Sequence, residues 1–357
     1  MNGKMNFHHQ FYASANGFNG FRSYFNKIFD SHKFDKIVVL KGGPGTGKST
    51  LLRKVAESLR NEENHIEIFR CSSDNNSLDG VIARNENAVI AVLDGTAPHE
   101  RDAVIPGAVD EILNLGAAWR QEDLKRMRSR IFEINRKKNE SYKNAYRYLL
   151  YSSVFETNIK AELSSMLNIG EMRKEAEAIA KRFFAYRGNV PDVRLISSFS
   201  KDGYKTLPTL DLISDKVYSV RGSFGSEALF LSEMVSVLNE NGVNYVRIAS
   251  ALSDDTTEAI YLPDSGISIV GMGSGEIICD STVYINSGFN ESFPNRFSKI
   301  QNSIENYFSL AADEFKKASD YHLELEAIYT PSMDYSIINE MTEGVISGLR
   351  KILGTNP

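Results

Sequence analysis

The sequence contains little cysteine and no long hydrophobic run. Its 357 residues include two cysteines, Cys71 and Cys279, which are too few for a disulfide framework and favour a reducing compartment. No apolar run is long enough to cross a bilayer, and residues 1–6 lead into no signal-peptide core. We therefore expect a cytoplasmic protein with no membrane partner.

The chain also lacks a strong excess of charge of one sign. Its formal net charge is −5, which gives no global attraction to nucleic acid or to a membrane surface, although it does not exclude a local basic face. A chain of this length is too long for one small core, and it fits two domains or one large one.

One stretch matches the phosphate-binding pattern G-x-x-x-x-G-K-[ST] in full and follows the apolar run 37–40. We call residues 42–49 the glycine-rich loop. Its glycines allow backbone N–H groups to turn towards phosphates, and the helix that starts there presents its positive N-terminus to the same anion. The pattern predicts a nucleoside triphosphate site formed by Gly42, Gly43, Pro44, Gly45, Thr46, Gly47, Lys48, Ser49 and Thr50.

Two side chains of the glycine-rich loop have specific predicted roles. We expect Lys48 to reach the β- and γ-phosphates of ATP, and Ser49 to place its hydroxyl on Mg²⁺. The alternative is a glycine-rich turn between a strand and a helix that binds nothing.

A buried strand is predicted over residues 88–93, and Asp94 follows it directly. A carboxylate at the end of such a strand, downstream of a phosphate loop, is typical of a Walker B residue that helps to hold Mg²⁺. The alternative is a turn-forming Asp before Gly95. With Lys48 and Asp94, the predicted catalytic set includes three residues that could orient a water molecule: His99, Glu100 and Asp102.

Two further segments are candidates for substrate contacts. The polar stretch 71–80 follows a strand predicted at 65–69, at the edge where ligands of doubly wound sheets bind; an ordinary capping and turn role is the alternative. Residues 121–184 show a long amphipathic helical pattern with many Lys and Arg. A solvated helix face is the favoured interpretation, with a lid over the phosphates or a nucleic-acid surface as alternatives.

The second half of the chain repeats the first. Residues 36–45 and 216–225 align at an offset of 180 residues, and the match continues to Asp74 and Asp254. A duplicated α/β unit is therefore predicted. We expect two tandem P-loop NTPase-like three-layer domains with mainly parallel sheets and appended helices, one over residues 1–188 and one over residues 189–357.

The second copy lacks the chemistry of the first. At the same offset, the residues that replace Gly47, Lys48 and Ser49 are Glu227, Ala228 and Leu229. A carboxylate in this place, without a lysine, repels a polyphosphate. The second copy is therefore predicted to be degenerate, with one nucleotide site per chain in the first half.

The glycine-rich loop, together with residues 94–99 and 106–116, resembles a bacterial family of duplicated P-loop proteins. Its members are described only as ATPases or nucleotide kinases. The resemblance covers nearly the whole chain and implies two P-loop-type domains in tandem, without a settled substrate. Typical members have a second half that looks like another P-loop, from which this chain departs at Glu227, Ala228 and Leu229.

Three functions fit these observations. The leading hypothesis is a Mg²⁺-dependent ATPase, and the runner-up is a phosphotransferase that acts on a small molecule or nucleotide. A third is a nucleotide-switched binding protein whose second half carries the partner surface. The expected ligands are ATP and Mg²⁺, with a small-molecule acceptor in the second case, whereas the acidic total argues against nucleic acid.

Overall fold

The computed structural model describes residues 7–188, 192–286 and 292–355. The predicted boundary between residues 188 and 189 therefore borders a segment, 189–191, that lies outside the described residues. Within the described ranges, no helix combines the length and the apolar character that crossing a membrane requires.

The first half contains a six-stranded sheet and a small hairpin. Its strands, in chain order, are β1 (Gln10–Tyr12), β2 (Ser14–Gly17), β3 (Gly20–Ser23), β4 (Lys36–Lys41), β5 (His65–Arg70), β6 (Leu78–Arg84), β7 (Val89–Asp94) and β8 (Asp110–Asn114). The sheet has the order β1-β5-β6-β7-β4-β8, and β2 pairs with β3 in the hairpin. Residues 37–40 of β4 and 90–94 of β7 are buried, as their apolar runs predict for central strands.

The second half repeats this arrangement. Its strands are β9 (Asp192–Arg194), β10 (Ser197–Ser200), β11 (Gly203–Thr206), β12 (Lys216–Arg221), β13 (Val246–Ala249), β14 (Thr257–Leu262), β15 (Ile267–Gly271) and β16 (Glu276–Asp280). The second sheet has the order β9-β13-β14-β15-β12-β16, and β10 pairs with β11. The predicted α/β class is confirmed, and the two sheets share one topology.

Both sheets are mixed. In each described sheet, three of the five strand pairings are parallel and two are antiparallel. The antiparallel pairings belong to β6 in the first sheet and to β14 in the second. Because β6 begins at Leu78, the polar loop predicted over 71–80 ends at residue 77.

The helices are α1 (Phe25–Ile28), α2 (Lys48–Ser58), α3 (Gln121–Arg126), α4 (Arg128–Met166), α5 (Ile169–Ala180), α6 (Thr209–Ile213), α7 (Ser226–Glu240), α8 (Ser292–Tyr329) and α9 (Tyr335–Leu353). The helical pattern predicted over 121–184 corresponds to α3, α4 and α5. In both halves a helix, α2 or α7, follows the central strand β4 or β12 after a short loop.

The helical extensions are exchanged between the halves. The long helices α4 and α8 run antiparallel, since Arg130 contacts Glu324 at one end (Nη2–Oε2 2.8 Å) and Glu162 contacts Arg296 at the other. The next helix of the first half, α5, packs against α7, whereas α9 packs against α2. Each half therefore receives its outer helix from the other half.

The two halves also share a buried core and a buried ion pair. Members of the shared core include Phe25, Phe29, Leu93, Ile248 and Ala259. At the adjoining sheet edges, the backbone N–H of Tyr12 donates to the carbonyl of Leu195 (2.8 Å). Nearby, the carboxylate of Glu67 on β5 accepts a hydrogen bond from Arg194 on β9 (Nη2–Oε2 3.2 Å). The halves are therefore joined by buried contacts as well as by the chain.

Candidate functional site

The glycine-rich loop connects β4 to α2. Gly45 and Gly47 have φ angles of 69° and 82°, in the left-handed region that strains residues with a side chain. Helix α2 begins at Lys48, directly after Gly47, which has no side chain to cap the first turn. The first N–H groups of α2 and the positive end of its dipole are therefore available to an anion.

Lys48 is folded back over the loop that precedes it. Its Nζ donates hydrogen bonds to the carbonyl oxygens of Gly42 (2.8 Å) and Gly43 (3.0 Å) and lies 3.6 Å from Oδ2 of Asp94. The hydroxyl of Thr46 also donates to the carbonyl of Gly43 (2.9 Å). The loop is thus held in a closed turn by its own side chains.

Ser49 and Thr50 occupy the first turn of α2. The hydroxyl oxygen of Ser49 accepts a hydrogen bond from the backbone N–H of Leu78 (3.0 Å), which ties the helix to the start of β6. The hydroxyl keeps its own proton and a second lone pair for another partner. Thr50 is exposed, so Ser49 is the residue of this pair that faces the sheet.

Asp94 ends β7 and lies opposite Leu40 of β4, which places it beside the glycine-rich loop. Its Oδ1 accepts a hydrogen bond from the N–H of Thr96 (2.8 Å), so the turn-forming role is present. Its Oδ2 faces Lys48 and lies 3.9 Å from Nε2 of His99. One oxygen of Asp94 therefore shapes the turn while the other belongs to a charged cluster.

His99 lies beside Asp94 in the interior. It is 7% exposed, and its ring stacks on Phe25 with the centroids 4.6 Å apart. Burial lowers the pKa of His99, which keeps the imidazole neutral. Neither ring nitrogen has a hydrogen-bond partner among the described residues.

Glu100 and Asp102, the other two residues predicted to orient water, are not brought to this cluster. Glu100 is exposed. Asp102 is also exposed and pairs with Lys41 (Nζ–Oδ1 2.9 Å). Between them, Arg101 is buried and binds Asp110 (Nη2–Oδ1 3.2 Å). Successive side chains of this irregular loop point in directions that no periodic pattern predicts.

A second buried carboxylate, Asp79, joins the cluster. It is the additional residue of a β-bulge where β6 pairs with β5, and its Oδ2 lies 4.0 Å from Nε2 of His99. Burial, together with the charge of Asp94, raises the pKa of Asp79 to about 8. From sequence alone, Asp79 is one of several polar residues of the stretch 71–80. The sequence feature that indicates its place is a carboxylate two positions before the apolar run 81–83.

The part of the chain that holds this cluster matches a family model. Residues 22–146 are similar to Nephrocystin 3, N-terminal. This segment is about a third of the chain and includes the glycine-rich loop, Asp79, Asp94 and His99. No curated protein and no solved structure matches the chain. The matched family differs in name from the bacterial family that the sequence resembles, so that resemblance stays a prediction.

The exchanged helices α8 and α9 cover the glycine-rich loop. The hydroxyl of Tyr335 donates to the carbonyl of Gly45 (2.7 Å). The nearby His322 (Nε2–Oε1 3.6 Å), with smaller contributions from the N–H of Gly45 and the charge of Lys48, lowers the pKa of Glu326. Tyr335 is 290 positions from Gly45 in the sequence, which is why no local motif predicts this contact.

The equivalent loop of the second half also ends in a glycine before a helix, but a different side chain lies over the loop. Gly225, with a φ angle of 96°, precedes the first residue of α7 as Gly47 precedes α2. The side chain of Glu227 lies against Gly222, and burial raises the pKa of its carboxyl group. Ala228 is aligned with Lys48, but the space over the loop that the Lys48 side chain occupies in the first half is occupied here by the acid Glu227.

The strand ends differ as well. The register places Gly271 where the first half has Asp94, and it places Glu258 at the same bulge as Asp79. Glu258 accepts a hydrogen bond from the hydroxyl of Ser197 (2.8 Å). The cavity at this edge has a volume of about 520 Å³, and none of the described residues that line it is Lys or Arg.

Proposed function

We propose that the chain is a Mg²⁺-dependent P-loop ATPase that binds ATP in its first half. The observation that supports this most directly is that Lys48 and Asp94 meet at the N-terminus of α2, where the ammonium and the carboxylate are 3.6 Å apart. The loop that carries Lys48 connects strand β4 to helix α2. P-loop NTPases use these side chains at this place for the phosphates and for Mg²⁺. One site per chain is proposed because the Glu227 side chain lies over the loop of the second half where Lys48 lies in the first, and because Gly271 stands in place of Asp94.

Each residue of the site has a proposed task. The N–H groups of the glycine-rich loop and the ammonium group of Lys48 hold the β- and γ-phosphates, for which Lys48 leaves its present carbonyl partners. Ser49 and Asp94 hold Mg²⁺, which prefers oxygen ligands of these kinds. The bound ion supplies neutralisation of the charge on the phosphates. His99 is the one predicted water-orienting residue at the cluster, so we assign it to the attacking water in the ATP-bound state.

A nucleotide-switched binding protein is the second candidate. It is favoured by the hydrogen bond from Tyr335 to the carbonyl of Gly45 and by the negative charge of Glu326 near the loop, which opposes an anion bound there. ATP binding would then change how α8 and α9 sit on the loop. Phosphotransfer has weaker support, since Asp74 of the 71–77 loop bonds within that loop (Ser77 Oγ–Oδ2 2.8 Å), as in an ordinary turn.

Phosphate release from ATP by the full chain separates these functions. Mg²⁺-dependent release without any acceptor supports the ATPase. Formation of ADP only in the presence of a metabolite panel supports phosphotransfer. Nucleotide binding without turnover, with a change in the protease sensitivity of α8 and α9, supports the switch.

The Lys48→Ala variant tests the site that all three functions share. We expect it to lose nucleotide affinity, because the ammonium group is the cation nearest to the predicted phosphates. Lys54→Ala is the matched control, because Lys54 lies on the same helix but bonds to Asn339. Unchanged affinity in Lys48→Ala would overturn the proposed site.

A further inference from the structure

We propose that Asp79, Asp94 and His99 form a site for one divalent transition-metal ion, and that the site fills without nucleotide. The inference deepens the proposed function, because the ion would lie beside the phosphates on the glycine-rich loop. The existence of the site can nevertheless be tested in the protein alone.

The three side chains come from three different places and meet in the interior. Asp79 is at the bulge of β6, Asp94 ends β7, and His99 belongs to the loop that follows. One ligand atom of each lies within 4.8 Å of the others, and all three residues are buried. With metal bonds of about 2.0 to 2.2 Å, two ligands of one tetrahedral ion are about 3.4 Å apart. The carboxylate oxygens lie 3.9 and 4.0 Å from Nε2 of His99, so the three side chains have to close by about half an ångström to bind one ion.

The state of His99 is a second, independent observation that points to a ligand. More than nine-tenths of this residue is buried, and neither ring nitrogen has a hydrogen-bond partner among the described residues. Buried polar atoms normally have a partner. The ring is held in place by its stacking on Phe25, so Nε2 stays directed towards the two carboxylates. A bound cation would satisfy this nitrogen.

The donor set selects the kind of ion. One imidazole nitrogen and two carboxylates suit Zn²⁺ and its first-row neighbours such as Co²⁺, Mn²⁺ and Fe²⁺. Mg²⁺ prefers oxygen ligands and keeps several waters, so His99 contributes little to the affinity for Mg²⁺. The ion at this cluster is therefore distinct in chemistry from the Mg²⁺ that accompanies ATP.

The surrounding charges set when the site fills. Lys48 lies 3.6 Å from Oδ2 of Asp94 and competes with a cation for that oxygen. Arg101 does not compete, because it is bound to Asp110. In the nucleotide-free protein the ion therefore has to displace Lys48 from this oxygen, which removal of the ammonium group would make easier.

Titration of the nucleotide-free, full-length protein with Co²⁺ tests the proposal. We expect one Co²⁺ per chain, with a visible absorption band that excess Mg²⁺ does not remove. His99→Ala and Asp79→Asn should each weaken binding at least about tenfold, the range seen when the environment of a metal ligand is disturbed. Asp79→Asn keeps the shape of the side chain and serves as the test if His99→Ala does not fold.

Two control variants make the result specific. His65→Ala removes a histidine that lies away from the cluster, in a pair with His9 whose ring centroids are 4.1 Å apart. This variant should bind Co²⁺ as the unsubstituted protein does. Lys48→Ala should bind Co²⁺ at least as tightly while losing ATP, so a failure of the metal site and a failure of the ATP site are distinguishable. The proposal would be overturned if the protein bound no Co²⁺ or if Mg²⁺ displaced the Co²⁺. It would also be overturned if binding persisted unchanged in both His99→Ala and Asp79→Asn, or if it was lost in His65→Ala.

Discussion

The two halves of the chain have the same strand order and the same bulge, but among the described residues only the first half gathers a cation, two carboxylates and an imidazole at one sheet edge. These chemical differences lie at strand ends and in loops. The first half has residues 95–109 between its last two parallel strands, including His99, whereas the second half has only residues 272–275. Buried strands therefore preserve the topology while the edge that carries chemistry is free to change.

The comparison also shows that the halves depend on each other. The loop of the first half is covered by α8 and α9, which follow the second sheet in the chain. Tyr335 donates a hydrogen bond to the carbonyl of Gly45, and the carboxylate of Glu326 is near enough for Gly45 and Lys48 to lower its pKa. The second half thus contributes directly to the environment of the glycine-rich loop of the first half.

The strongest way to break the pairing of the halves is the substitution Arg194→Ala. It leaves buried Glu67 with Arg84 as its remaining arginine partner, so we expect a loss of up to about 3 kcal/mol of the free energy of unfolding. Urea denaturation at neutral pH measures the loss. Arg130→Ala removes an exposed ion pair between α4 and α8 and should cost less than about 1 kcal/mol. Similar losses in the two variants would contradict a special role for the buried pair.

The chemical contrast between the halves is tested by matched alanine variants of Lys48 and Glu227. Lys48→Ala should lower the rate of phosphate release by about a hundredfold to a thousandfold, as is typical when one group that stabilises transition-state charge is lost. Glu227→Ala should leave the rate unchanged, because Glu227 lies in the other loop. A large loss in Glu227→Ala would mean that the second half takes part in turnover.

The contact between the halves should also respond to acid. Burial alone would raise the pKa of Glu67, but the charges of Arg194 and Arg84 outweigh it and lower the pKa to about 2. A depressed carboxyl pKa contributes stability that is present above the ordinary value of 4.5 and is lost as the pH falls towards 2. Denaturation curves between pH 5 and pH 2 should show this fall. A curve for Arg194→Ala that is equally steep would contradict the assignment.

The smallest expected effect concerns helix α8, which covers the glycine-rich loop. Glu326→Gln removes a negative charge near the glycine-rich loop and should raise ATP affinity about twofold to fivefold, in keeping with the energy of one charge at a helix N-terminus. Fluorescent nucleotide titration measures this gain. Glu324→Gln, two residues earlier on α8 and paired with Arg130, should change little. A decrease in affinity for Glu326→Gln would show that the carboxylate supports binding.

Much of the fold follows from local patterns. The apolar runs at 37–40, 65–69 and 88–93 form strands, and the periodic segment 121–184 forms helices. The edge strands β1 and β8 are short and carry no comparable run. Strand β6 was missed because Asp79 and Gly80 interrupt its apolar residues and look like part of a turn.

Local sequence was sufficient for the α/β class, for the repeat and for the place of Lys48 and Asp94, because strand propensity, spacing and the glycine pattern all act between near neighbours. Only the three-dimensional packing decided that His99, and not Glu100 or Asp102, lies at the cluster with Asp79. It also decided that α8 and α9 pack on the other half of the chain. These features depend on side-chain direction in an irregular loop and on contacts between residues hundreds of positions apart. No short-range pattern encodes either.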